Sequence, residues 1–135
     1  MTCPFCAPSE KDVLARNTHA YVRMDAYPVA QGHVLVIPFR HVENWFDVTP
    51  AEAQAIFELS REYRKRCDSA NSPDGYTIGV NIGAAGGQTI SHAHLHVIPR
   101  YARDVVDPRG GVRGIIAKKQ HYPNMGASDR SVAKP

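Results

Sequence analysis

The strongest constraint on this chain is the run 90–99, in which His92, His94 and His96 alternate with Ala93, Leu95 and Val97. Alternation is the period of a β-strand, where side chains at i, i+2 and i+4 share a face. The spacing predicts a strand over 90–99 that carries three imidazoles on one surface, with Cα atoms of successive histidines about 6.6–7 Å apart. Ala93, Leu95 and Val97 then face the core.

Such a strand needs a sheet. Residues 20–24 read as a short strand, Pro28 and Gly32 mark a turn, and the β-branched run 33–37, closed by Pro38, reads as a buried strand. Residues 76–82 read as another. Between them lies one clear helix, with Thr49 as N-cap, Pro50 at the first position and Glu52 completing a capping box. Ile56, Tyr63 and Cys67, with Leu59 or Ser60 between, form its inner face. Glu58, Arg61, Glu62, Arg64, Lys65 and Arg66 form a solvated face. The helix should end near Asp68, before Asn71-Ser72-Pro73-Asp74-Gly75. Residues 1–18 show little periodicity. Strands dominate without the regular strand–helix alternation of a parallel doubly wound sheet, so the expected class is an antiparallel α+β domain.

A chain of 135 residues suits one domain. The expected organisation is a core over 1–101, a basic segment of the same domain over 102–123, and a flexible tail over 124–135. Net charge is +3. That excess favours an anionic ligand but is too weak and too scattered for a nucleic-acid partner. No apolar run approaches the ~20 residues of a membrane span, so no membrane partner is expected. Met1-Thr2-Cys3-Pro4-Phe5-Cys6 has neither the basic leader nor the apolar stretch of a signal peptide. The three cysteines are an odd number, which suits a reducing compartment, and a cytoplasmic location is expected.

The histidine row admits two chemistries. Imidazoles can converge on a metal. They can also handle phosphate directly, because neutral imidazole is a nucleophile available near neutral pH and a neighbouring ring can assist the leaving oxygen. Immediately upstream, residues 81–89 combine Gly83, Gly86 and Gly87 with the donors Asn81, Gln88 and Thr89. A glycine-rich backbone lets N–H groups approach an anion closely. At the N-terminus, the spacing of Cys3 and Cys6 suits two thiolates on one zinc ion, or two free thiols on a loose end.

Three segments together resemble the histidine triad (HIT) family. They are Gly32-His33-Val34-Leu35-Val36-Ile37-Pro38, then Gly86-Gly87-Gln88-Thr89, then His92-Ala93-His94-Leu95-His96-Val97-Ile98-Pro99. The resemblance spans about residues 1–101. It implies a five-stranded antiparallel sheet with one long helix and short flanking helices, paired into a homodimer with a continuous sheet. It implies a nucleotide substrate and assigns roles. His94 would attack the α-phosphate, and His96 would contact the phosphate and help the leaving group. His92 would orient His94 through its backbone carbonyl, with His33 in support. Asn81, Gly87, Gln88, Thr89 and His96 match phosphate-binding positions. Asp25 matches the position that meets the ribose. Val22 and Met24 are candidates for the base pocket or for the core. Some members and the related galactose-1-phosphate uridylyltransferases join a cysteine pair to two histidines, here His41 and His92, around a structural zinc. Magnesium could accompany the nucleotide.

Residues 38–47 look closer to the dinucleotide-cleaving branch than to the phosphoramidase branch. The expected function is therefore hydrolysis of a dinucleoside polyphosphate or an adenylyl conjugate. The alternatives are a transferase or phosphorylase with another acceptor, a nucleotide-binding regulatory module, and a metal-dependent hydrolase. Arg103, Arg109 and Arg113 could meet extra phosphates, or belong to a solvated tail. His19 and His121 receive no role.

Overall fold

The computed structural model describes residues 2–124. Five strands, β1 (Ala15–Arg16), β2 (Ala20–Met24), β3 (Val34–Pro38), β4 (Gly75–Gly79) and β5 (Leu95–Arg100), form one sheet in the order β1-β2-β3-β5-β4. Every neighbouring pair is antiparallel. The single long helix, α1 (Pro50–Asn71), packs on one face. Its Ala55, Ile56, Leu59, Tyr63 and Cys67 meet Ala20, Val22, Val34, Val36, Leu95 and Val97. The N-terminal segment covers the opposite face, where Phe5 packs with Tyr21, Leu35 and Ile37. β3 is thus buried on both sides along its whole length. That is why its sequence is apolar throughout instead of alternating.

α1 begins as its capping box requires. The Thr49 hydroxyl accepts from the Glu52 backbone N–H at 3.0 Å, and the Glu52 carboxylate accepts from the Thr49 N–H at 2.8 Å. The same carboxylate accepts from Arg40 Nε and Nη2, both at 2.8 Å. Glu52 is buried, and the guanidinium beside it holds its carboxyl down to about 2. The pair ties the loop that leaves β3 to the first turn of α1. At the other end of β3, Tyr63 Oη donates to the Gly32 carbonyl at 2.7 Å. Gly32 has φ +90°, and a Cβ there would stand only 3.0–3.1 Å from Asn71, Cys67 and Pro99 side-chain atoms. Only glycine fits this entry to β3.

Several elements differ from the sequence reading. α1 runs on to Asn71, where Ser72 ends it in the left-handed region at φ 48°. β1, two residues long, was not expected from the unperiodic N-terminus. β5 begins at Leu95, not at residue 90. Before it, the His92 N–H donates to the Ile90 carbonyl at 2.8 Å, and the Ala93 N–H donates to the Val42 carbonyl at 2.7 Å. The chain is therefore pinned to the loop after β3, and His92 and His94 lie outside the regular ladder. β4 likewise ends at Gly79, short of residue 82. The expected tail falls, from residue 125 on, outside the described residues.

Removing the Arg40 guanidinium would strand a buried carboxylate. Breaking a fully buried pair costs about 3–5 kcal/mol. Arg40 is half exposed, so solvent screening keeps the expected cost of Arg40→Ala well below that of a fully buried pair. Thermal denaturation should show a drop of about 3–6 °C for a domain of this size. Because the folded carboxyl sits below its usual range, the loss should be full above pH ~5 and shrink as the pH falls toward 2.

Candidate active site and metal cluster

The imidazoles do not share one surface. His92 turns toward the N-terminal cysteines, whereas His94 and His96 line a cavity of about 270 Å³. The partners of each ring set where its proton lies. His94 Nδ1 stands 2.8 Å from the backbone carbonyl of His92. A carbonyl only accepts, so Nδ1 carries the hydrogen and Nε2 keeps a bare lone pair. A second chain of bonds runs the other way. The Val29 N–H donates to His33 Nδ1 at 3.1 Å, which places the His33 hydrogen on Nε2. That N–H lies 3.0 Å from His96 Nδ1 and 3.4 Å from Asp25 Oδ2. His96 Nδ1 accepts, so a neutral His96 carries its hydrogen on Nε2. Burial, above all, lowers the pKa of both His33 and His96, with Asp25 opposing, and favours these neutral forms. Two rings with centroids 5.1 Å apart thus have opposite polarity, one with a lone pair and one with a donor.

Asp25, Asn81, Thr89 and Met24 also line the cavity, as do Phe5, Arg23 and Tyr27, which the sequence reading passed over. Asp25 Oδ1 accepts from the Tyr27 N–H at 2.8 Å, while Oδ2 faces His33 and His96. Val22 belongs to the core beneath α1, not to the cavity. In the glycine loop, Gly87 has φ +91° and stands against the Asn81 side chain. The Gln88 amide is spent on backbone. Its oxygen accepts from the Gly83 N–H at 2.9 Å, and its nitrogen donates to the Glu43 and Ile90 carbonyls at 2.9 and 3.0 Å. Gln88 therefore shapes the loop. Arg103, Arg109 and Arg113 are not among the cavity-lining residues. Arg109 bonds Asp107, and Arg113 donates to the Lys119 and Gln120 carbonyls.

Cys3, Cys6, His41 and His92 bring four ligand atoms within 4.8 Å of one another. Cys3 Sγ is 3.3 Å from His92 Nδ1, and Cys6 Sγ is 3.1 Å from His41 Nδ1 and 3.7 Å from His92 Nδ1. Zinc bonds of about 2.0–2.3 Å in a tetrahedron separate ligands by about 3.3–3.8 Å, close to this spacing. The tautomer also fits, because His92 Nε2 donates to the Pro38 carbonyl at 2.8 Å and leaves the Nδ1 lone pair toward the sulfurs. Desolvation and the adjacent Cys3 push the Cys6 thiol up, which a divalent cation would reverse.

Asp25, His33 and His96 converge as tightly, yet this set does not suit a metal. A metal on His33 Nε2 would force the proton onto Nδ1, against the Val29 N–H. No dedicated set of carboxylates for magnesium gathers among the described residues.

Residues 7–103 match the HIT domain, and the chain belongs to that family. It is 37% identical over 103 residues to an uncharacterized HIT-like protein of Mycoplasma pneumoniae, covering 73% of this chain and 72% of that one. It is 31% identical to an AP-4-A phosphorylase of Mycobacterium tuberculosis and 34% identical to a bis(5'-nucleosyl)-tetraphosphatase (asymmetrical) of Schizosaccharomyces pombe. These matches cover 75% and 72% of this chain. They span only 52% and 53% of those two proteins. A zinc-bound histidine triad family protein from Mycobacterium smegmatis has a similar structure, with a TM-score of 0.68 and 29% identity, covering 76% of this chain and 78% of that one. No helix among the described residues is long and apolar enough to cross a membrane.

The depressed histidines have a stability signature. Below pH ~6.5 the unfolded chain takes up protons that folded His33 and His96 resist, so stability falls as the pH falls. The metal-free protein should melt at a lower temperature at pH 5.5 than at pH 7.5. The gap should narrow in His33→Gln, which cannot titrate. An equal gap in both proteins would contradict the assignment.

Proposed function

We propose that this chain hydrolyses a nucleoside phosphate conjugate, either a dinucleoside polyphosphate such as diadenosine tetraphosphate or an adenylyl conjugate. The observation that supports it best is the opposite polarity of His94 and His96 within one cavity. The His94 Nε2 lone pair attacks the α-phosphorus, and the bond to the leaving oxygen breaks. The ring then carries a positive charge, which the His92 carbonyl at its Nδ1–H stabilises. The His96 Nε2–H bonds the departing oxygen. A polyphosphate leaves as an anion and needs no full proton. Water then attacks phosphorus, the P–N bond breaks, His94 leaves as neutral imidazole, and a nucleoside monophosphate and a proton are released.

Asn81 and Thr89, which line the cavity, hold the phosphate in this reading, while Gly87, whose N–H donates to the Ala84 carbonyl at 3.0 Å, shapes their loop together with Gln88. Asp25 meets the ribose, and Met24 meets the base. Cys3, Cys6, His41 and His92 would hold a zinc ion whose filled coordination makes it structural. A homodimer and a cytoplasmic location belong to the same proposal. β4 is an outer strand, and its Ile78 is exposed.

The relative named as a phosphorylase supports a second reading, with inorganic phosphate as acceptor. His96, in place of the glutamine of the uridylyltransferase relatives, favours water. Hydrolysis of diadenosine tetraphosphate should yield a nucleoside monophosphate whether or not phosphate is added. A diphosphate that appears only with added phosphate would support the second reading.

Loss of the covalent step predicts that His94→Ala or His94→Asn lowers kcat by about three orders of magnitude or more. Rapid quenching of labelled substrate should tag wild type at His94, and near-normal turnover in either variant would refute the assignment. Metal analysis should find about one zinc per chain. Less than about a tenth, with both thiols freely titratable, would remove the zinc site.

A further inference from the structure

Two contacts hold the His94 ring from the side of the cysteine cluster, and both lead to it. The first is the bond from Nδ1 to the carbonyl of His92, itself a cluster member. The second is the ring of Phe5, which stands between Cys3 and Cys6 in sequence. Phe5 is 4% exposed. It meets His94 edge-on at 5.2 Å between centroids and 74° between planes, and His92 at 5.9 Å and 82°. Its N–H donates to Cys3 Sγ at 3.4 Å, and its carbonyl accepts from Tyr21 Oη at 2.7 Å. The Arg23 guanidinium lies over its ring at 5.6 Å, and Phe5 and Arg23 both line the cavity. One buried side chain therefore touches a cluster member, the proposed nucleophile and the open cavity at once.

We infer that Phe5 is a positioning residue through which metal occupancy of the Cys3–Cys6–His41–His92 cluster governs the orientation of His94. The inference rests on the nucleophile assignment above for its kinetic consequence, but not for its structural one. With the cluster filled, Cys3 and Cys6 are drawn together and the intervening Pro4-Phe5 turn is fixed. The Phe5 edge then confines the His94 ring against His96. With the cluster empty, the turn keeps its packing on Tyr21, Leu35 and Ile37, the Tyr21 and Arg23 contacts and the Cys6 N–H bond to the Cys3 carbonyl, but it has no cross-link between the two sulfurs and the histidines, and the wall beside His94 loosens. An edge-to-face aromatic pair is strong enough to change an equilibrium by about 2- to 13-fold, which sets the scale of the effect.

The test compares four samples of the full chain: wild type and Phe5→Leu, each zinc-loaded and chelated. Leucine keeps an apolar side chain of similar reach, and metal analysis checks that the variant loads zinc. Should it not, Phe5→Met takes its place. The first readout is the pair of His94 ring-nitrogen chemical shifts, measured by NMR without substrate. The second is kcat and KM with diadenosine tetraphosphate. In wild type, chelation should move the His94 shifts and lower kcat about 3- to 10-fold. The zinc-loaded variant should already show most of both changes, and chelating it should add less than about twofold.

Three results overturn the inference: a wild type that takes up no zinc, a zinc-loaded variant with unmoved His94 shifts, or chelation that perturbs His94 equally in both proteins. A protein that turns over no nucleotide conjugate sinks the proposed function instead. In that case the NMR comparison still decides the link between cluster and ring.

Discussion

A neutral imidazole has one N–H and one lone pair, and when it is buried each needs a partner or a use. This chain buries His33, His92 and His94 almost completely and His96 in part. Each ring spends one nitrogen on a fixed backbone group or on another ring. Pro38 takes the His92 hydrogen, the His92 carbonyl takes that of His94, and Val29 supplies a donor to His33, which passes the polarity on to His96. The remaining nitrogens are consequently of known character: a lone pair toward the thiols on His92, a lone pair on His94, a donor on His96. No side chain needs to move a proton to prepare this pattern.

The fold makes the pattern possible because β3 is covered on both faces and its two ends are held. Gly32 and Tyr63 fix the entry just before His33, and Arg40 with Glu52 fixes the exit just before His41. Loops from elsewhere dock on that rigid strand. The Val42 carbonyl receives the Ala93 N–H, which sets His92 and His94 on either side of it, and Pro38 receives His92 directly. The site is thus built from the ends of one strand and the approach to another, with the N-terminal turn closing it.

Local rules reached α1 well, since its capping box, proline and inner face are all written in adjacent residues. They reached the histidine row as a signature but misread its geometry. Alternation promised a straight strand over 90–99, whereas the bond to Val42, a tertiary contact 51 residues away in sequence, interrupts the ladder before Leu95. β1 was invisible because two residues carry no period. Gln88 read as a phosphate donor because residue type does not show that its amide is already engaged. Phe5 carried one signal, its place between two cysteines, and only packing reveals which rings it touches.

The same burial that sorts the protons also constrains how the site can be changed. A polar group introduced beside His33 or His96 would reduce the desolvation that keeps them neutral, raise their pKa values, and turn the His96 Nδ1 acceptor into a donor facing the His33 N–H. The polarity would then be lost without touching Nε2 of either His94 or His96. Apolar walls are therefore as necessary to this proton pattern as the histidines themselves. The wall contributed by Phe5 belongs to the segment that also carries Cys3 and Cys6, so a cluster spaced to suit a metal and the placement of protons meet in a single turn of chain.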